Sequence, residues 1–239
     1  MTLLDVDGLQ TGYGALPVVH GINVQVDANE VVAVVGPNGA GKTSLVKAIM
    51  GQLPIMAGTV TFDGTDLARV RPAARQRLGM ATVPQTGSTF PDLSVEDNLR
   101  VSFSSLAGDA IGNAVSAAYE MFPVLGERRK QLAKTLSGGE RQMLAFSSGI
   151  GTDPRFIALD EPTTGLAPTI VDGLVEKILD FRESGASILW VIEEEPLLIL
   201  PHVDRVYVLN AGSVQAEMGA DELMADTSLQ ALFFGTEMP

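Results

Sequence analysis

Nine consecutive residues, Gly36-Pro37-Asn38-Gly39-Ala40-Gly41-Lys42-Thr43-Ser44, carry the types and spacing that bind a nucleotide's phosphates. They match the P-loop pattern of Gly, four residues, Gly, Lys and then Thr or Ser. Gly36, Gly39 and Gly41 lack a Cβ, so the backbone through Asn38 and Ala40 can bend tightly and aim its N–H groups at phosphate oxygens. Lys42 offers a compact charge to the β- and γ-phosphates, and the Thr43 hydroxyl can ligate Mg²⁺. A helix that starts near Lys42 and runs through Ser44 adds its partially positive N-terminus. The chemistry this stretch implies is the binding of ATP with Mg²⁺.

Two further groups suit the same ligand. Asp160 and Glu161 close an apolar run, Phe156-Ile157-Ala158-Leu159. A carboxylate at such a strand end, here Asp160, can hold Mg²⁺ directly or through water. Glu161 is then placed to orient or deprotonate an attacking water. In Leu136-Ser137-Gly138-Gly139-Glu140-Arg141-Gln142, Ser137 can cap a helix whose first residues, Gly138 and Gly139, bare their N–H groups to an anion.

These groups need elements to position them. Val31-Val32-Ala33-Val34-Val35 reads as a buried strand entering the glycine loop, and Leu45, Val46, Ala48, Ile49 and Met50 recur as the inner face of the helix leaving it. Short strands are expected at 3–6 and 21–26, with Gly12-Tyr13-Gly14 as a loop between them, and again at 58–62 and 80–83. Ser94 to Asp97 resembles a capping box that opens a helix with Val95, Leu99 and Phe103 on one face. Helices at 110–122 and from Ser137 to about Gly151 complete a helical lobe over 87–152. Strand–helix alternation resumes with 156–159, a helix marked by Ile170, Leu174, Ile178 and Phe181, and strands at 187–192 and 206–209. Val214 to Glu217 should form a hairpin with the last of these across Ala211-Gly212. The pattern is α/β, with a mainly parallel sheet in a nucleotide-binding core (1–86 and 153–239) interrupted by the helical insert.

Composition removes several function classes. The chain has no cysteine and two histidines, His20 and His202, so neither disulfides nor a thiolate or His-rich metal site is expected. Net charge is −13, and no basic cluster beyond Arg128-Arg129-Lys130 could neutralise a phosphate backbone, which argues against a nucleic-acid partner. It argues equally against electrostatic attachment to an anionic membrane. No apolar run approaches the roughly 20 residues that span a bilayer, and the N-terminus lacks a signal peptide's basic start and apolar core. A cytoplasmic chain is expected, with any membrane contact made through another protein.

Taken in order, residues 36–44, 136–142 and 156–161 resemble the Walker A, signature and Walker B motifs of an ABC-transporter ATPase, and the resemblance covers nearly the whole chain. It implies a RecA-like P-loop NTPase core, an N-terminal antiparallel β subdomain and an inserted α-helical subdomain. It also implies that Tyr13 stacks on adenine, that Gln85 contacts Mg²⁺ and water, and that 164–167 form the D-loop. The family's working unit is a head-to-tail ATPase pair, identical or similar, with each ATP between one P-loop and the partner's Ser137-Gly138-Gly139 segment. Membrane-embedded permease subunits and, indirectly, an external solute-binding protein would complete the assembly. The chain would then be peripheral to the inner face of the membrane.

One position departs from the pattern. Past the strand at 188–192 the family commonly places a histidine against the γ-phosphate. Here the run is Glu193-Glu194-Glu195-Pro196, and Glu194 takes that place, give or take one residue. An ionised Glu repels a phosphate, whereas a protonated one could donate a hydrogen bond, so slow hydrolysis or dependence on an asymmetric pair is expected. Tyr119-Glu120-Met121-Phe122-Pro123, Gln142-Met143-Leu144-Ala145, Gly165-Leu166-Ala167-Pro168 and Ala231-Leu232-Phe233-Phe234-Gly235 further resemble the smaller ATPase of branched-chain amino-acid importers, with relatives serving amides and urea.

Overall fold

The structure is a computed structural model that describes residues 1–85, 89–151, 153–193, 196–227 and 229–230. The chain opens on a long hairpin, β1 (Thr2–Tyr13) and β2 (Leu16–Asp27). Strand β3 (Val31–Val35) is buried at every residue and leads through the glycine loop into α1 (Lys42–Ile49). Then come β4 (Ala57–Phe62), β5 (Thr65–Asp66), α2 (Pro72–Arg75) and β6 (Met80–Val83). Four helices lie between β6 and the next strand: α3 (Val95–Ser102), α4 (Ala110–Met121), α5 (Pro123–Glu127) and α6 (Gly138–Ile150). The remainder is β7 (Phe156–Asp160), α7 (Pro168–Glu183), β8 (Ser187–Val191), α8 (Pro196–Ile199), β9 (Arg205–Asn210), β10 (Ser213–Gly219) and α9 (Ala220–Ala225).

The strands form two sheets. One is antiparallel, in the order β2-β1-β4-β5; the other is β10-β9-β3-β8-β7-β6. In the second, β9, β3, β8, β7 and β6 run parallel, and only β10 is antiparallel, closing its hairpin across Ala211-Gly212. Because successive strand residues point to opposite faces, β3 feeds two cores. Val32 and Val34 pack with α1 and the antiparallel sheet. Val31, Ala33 and Val35 pack with residues of α3, α4, α6 and α7. A parallel sheet covered on both faces explains why these strands read as unbroken apolar runs.

The hairpin differs from the sequence reading. Residues 12–14 do not form a loop: Gly12 and Tyr13 belong to β1, Tyr13 pairs with Leu16, and the turn is only Gly14-Ala15. Register shifts between Val6 and Leu9 and between Thr11 and Gly12 break the alternation that would have marked so long a strand. A second feature, invisible in the sequence, stabilises the end of α1. The buried Arg75 guanidinium donates to the carbonyls of Ala48, Ile49, Leu67 and Val70. Those of Ala48 and Ile49 lie in the last turn of α1, where carbonyls run out of partners in the next turn of the helix.

Candidate functional site

The order of the parallel strands assembles the site. Reading across the sheet, β3, β8, β7 and β6 are neighbours. Their carboxyl ends release the glycine loop, Glu193, Asp160-Glu161 and Gln85 in that sequence. Ligands of open α/β sheets bind at this edge. Here one cleft is lined by Val18, residues 38–44, Gln85, Glu161 and Glu193.

The glycine loop has the geometry its residue types require. Gly36 has φ 147°, and a Cβ there would lie 2.0 Å from the Leu209 carbonyl oxygen. Gly41, with φ 102°, occupies the N-cap of α1. No side chain closes that helix start, so its first N–H groups face the loop and remain open to an anion. Lys42 is only 4% exposed, and its Nζ donates to the carbonyls of Gly36 (2.7 Å) and Pro37 (3.2 Å). A lysine so deeply placed, with its charge turned into a backbone concavity, suits a phosphate chain.

Thr43 Oγ1 donates to Asp160 Oδ1 at 2.9 Å, bringing together two of the three side chains expected at Mg²⁺; the third, Gln85, lines the same cleft as Thr43. Asp160 is buried, and burial raises its pKa despite the Thr43 bond. A carboxylate and a hydroxyl are donors that suit Mg²⁺, which takes its other partners from phosphates and water. No cluster of three or more His, Cys, Asp or Glu that could hold a metal exists among the described residues.

Glu161 is also buried, and its backbone lies in the left-handed region at φ 53°. Its N–H bonds the Val191 carbonyl, and its carboxylate accepts a hydrogen bond from Gln85 Nε2. Burial, and next the facing Glu193 carboxyl, raise Glu161 to about 7. Glu161 is in turn the largest cause lowering Glu193, aided by Asn38 and Lys42. The two carboxyls are therefore pushed in opposite directions, Glu161 up and Glu193 down.

Glu193 also lines the cleft, and its Oε2 lies 3.8 Å from Lys42 Nζ; the sequence reading gave it no role of its own. Glu194, the residue expected against the γ-phosphate, lies outside the described residues, as does the run 231–235. The position of β8 between β3 and β7 is what brings Glu193 toward Lys42.

The remaining expected residues stand apart from this cleft. Tyr13 is 52% exposed at the end of β1 and is not one of the lining residues, whereas Val18 of β2 is. Ser137 caps α6, accepting from Glu140 N–H at 3.3 Å while the Glu140 carboxylate accepts from Ser137 N–H at 2.9 Å. Ser94 caps α3 but lacks this reciprocal bond; its hydroxyl donates to Asp97 instead. Arg128 pairs with Glu140 at 2.6 Å, a tie that the sequence did not suggest. Gln142 Nε2 donates to the Pro162 carbonyl at 2.8 Å, joining α6 to the segment that follows Glu161. None of Ser137, Gly138 and Gly139 lines the cleft of its own chain.

Comparison with known proteins gives a consistent result. The ABC transporter family profile matches residues 19–164. A probable branched-chain amino acid transport ATP-binding protein LivF of Archaeoglobus fulgidus is 33% identical, covering 95% of this chain and 96% of its own. The high-affinity branched-chain amino acid transport ATP-binding protein BraG of Pseudomonas aeruginosa is 31% identical, covering 98% and 100%. The lipopolysaccharide export system ATP-binding protein LptB of Haemophilus influenzae is 28% identical, covering 99% of each. A nucleotide-free ATP-binding cassette from an ABC transporter superposes with a TM-score of 0.84 at 23% identity, over 96% of this chain and 98% of that one.

Proposed function

This chain belongs to the ABC transporter family, whose ATP-binding domains hydrolyse ATP, and we propose that it powers an importer of branched-chain amino acids or a related small polar solute such as an amide or urea. The observation that carries the catalytic part is the convergence of Lys42, Thr43, Asp160, Glu161 and Gln85 at one sheet edge. The solute class rests on relatives whose names specify branched-chain amino acid transport; an export-system subunit is similar at lower identity.

Mg²⁺ bound with ATP would supply positive charge to the phosphates. For this chain's own part, Gly36, Asn38, Gly39, Ala40, Gly41 and Ser44 shape the phosphate cradle, and Lys42 supplies its charge. Thr43, Asp160 and Gln85 would hold the metal, directly or through water. Glu161 accepts the proton of the attacking water at Oε, a role suited by a pKa of about 7. Gln85 orients that carboxylate. Tyr13 stacks on adenine, with Val18 as the apolar wall beside it. Because Ser137, Gly138 and Gly139 lie off this cleft, they serve a second ATPase subunit in a head-to-tail pair.

No helix of the described residues is long and apolar enough to cross a membrane. The chain therefore acts from the cytoplasmic face by docking on permease subunits, with the solute-binding protein reached only through them. Affinity purification from detergent-extracted membranes tests this. Two multi-span permeases in stoichiometric amount, and uptake of labelled leucine driven by ATP in vesicles, support the proposal. Recovery of the chain alone, or with ribosomes or DNA, overturns it in favour of a non-transport ABC ATPase. A weakly hydrolysing, regulatory subunit is a second reading, favoured by Glu194 at the sequence position where the family commonly has histidine. Turnover of the assembled complex that does not rise in Glu194→His counts against it.

A further inference from the structure

Lys42 has an anionic partner within its own chain. Its Nζ uses the Gly36 and Pro37 carbonyls and then faces Glu193 Oε2 at 3.8 Å. Glu193 follows β8, which lies between β3 and β7, and with Asn38 and Glu161 it lines the same cleft. It is 23% exposed, so water screens the pair only in part.

The same contacts say which part of a nucleotide would meet it. Lys42 serves the β- and γ-phosphates. Glu161, the proposed proton acceptor for water attacking the last phosphate, lines the same cleft as Glu193. Glu193 therefore lies at the terminal-phosphate end of the cradle, where a donor or cation would favour the triphosphate and a carboxylate opposes it. Asp160 and Glu161 add carboxyls at this end, and Lys42 is the one side-chain cation among the described residues lining the cleft.

We propose that Glu193 is a specificity-determining residue that narrows the site's preference for ATP over ADP, by competing with the terminal phosphate for Lys42. The inference rests on the nucleotide-binding reading above. Its consequence is that a single chain holds ATP and ADP with similar affinity. Retention of ATP then depends on donors brought by another subunit.

The test is titration calorimetry of ATP and of ADP into the purified full chain, in EDTA so that neither metal coordination nor hydrolysis intervenes. Glu193→Gln keeps the shape and removes the charge; Glu193→Ala removes the side chain. Both should tighten ATP by about tenfold while changing ADP much less, the scale expected for one charge beside another in a partly screened cleft. An ATP-to-ADP affinity ratio that stays at the wild-type value in both variants, or ATP binding that weakens, overturns the proposal. The first result would make Glu193 a positioning partner of Glu161; the second would make it a nucleotide ligand. A wild-type chain that binds neither nucleotide overturns the nucleotide-binding reading as well.

Discussion

Glu161 concentrates several costs in one residue. It is buried, its φ of 53° is one that a non-glycine residue adopts at a cost of about 1–3 kcal/mol, and burial together with Glu193 pushes its carboxyl up to about 7. The surroundings that impose these features are Gln85, Val191 and β8. With a pKa raised to about 7 from 4.5, the folded chain keeps a proton at Glu161 that the unfolded chain has released. Its stabilising contribution is complete below about 4.5 and is lost as pH rises through about 7; Glu193, lowered, acts in the opposite sense. Melting profiles in EDTA should therefore show Glu161→Gln gaining on wild type between about pH 5 and pH 8. Parallel profiles would mean that the carboxyl titrates as an ordinary glutamate. The Lys42, Thr43, Asp160 and Glu161 assignments were legible because their spacing is chemical. The proximity of Glu193 to Lys42 was not, because it comes from where β8 lies in the sheet, which no local pattern specifies.

Among the elements, the loop and helix starts make separable claims. Gly36→Ala would place a methyl 2.0 Å from a backbone oxygen that cannot move without shifting β9. It should lower the melting temperature and abolish ATP binding together. Gly39 has no atom within 4 Å of the equivalent position, so Gly39→Ala meets only left-handed backbone strain, roughly 1–2 kcal/mol. Comparable destabilisation of the two variants would refute this contrast. Ser137→Ala removes the cap of α6 and should cost about 1 kcal/mol in a denaturant titration, since the Glu140 N–H loses the Ser137 hydroxyl as its acceptor. The strands of the parallel sheet were readable because burial on both faces leaves continuous apolar runs. The first hairpin was shortened in the reading because glycines and register shifts interrupt its alternation. The link from Gln142 to Pro162 was hidden for another reason: two distant segments meet only after the sheet has formed.

At the scale of the molecule, the proposed head-to-tail pair would join the glycine-loop cleft of one chain to the capped helix start of another. Ser137, Gly138 and Gly139 stand away from the cleft formed by residues 38–44, Gln85, Glu161 and Glu193. Pairing should therefore depend on ATP. By light scattering, Glu161→Gln is expected to associate when ATP is added and not with ADP, and Gly138→Glu should prevent that association. A Gly138→Glu chain that still pairs would place the interface elsewhere. The most direct test of the account is the steady-state ATPase rate of the assembled complex, wild type against Glu161→Gln, with ATP binding measured on the same samples. The expected result is a fall in turnover of roughly 10²–10⁴-fold with binding retained, because Glu161 takes a proton in the reaction and does not build the cradle. Turnover that survives the substitution would contradict the assignment of Glu161 and the chemistry built on it.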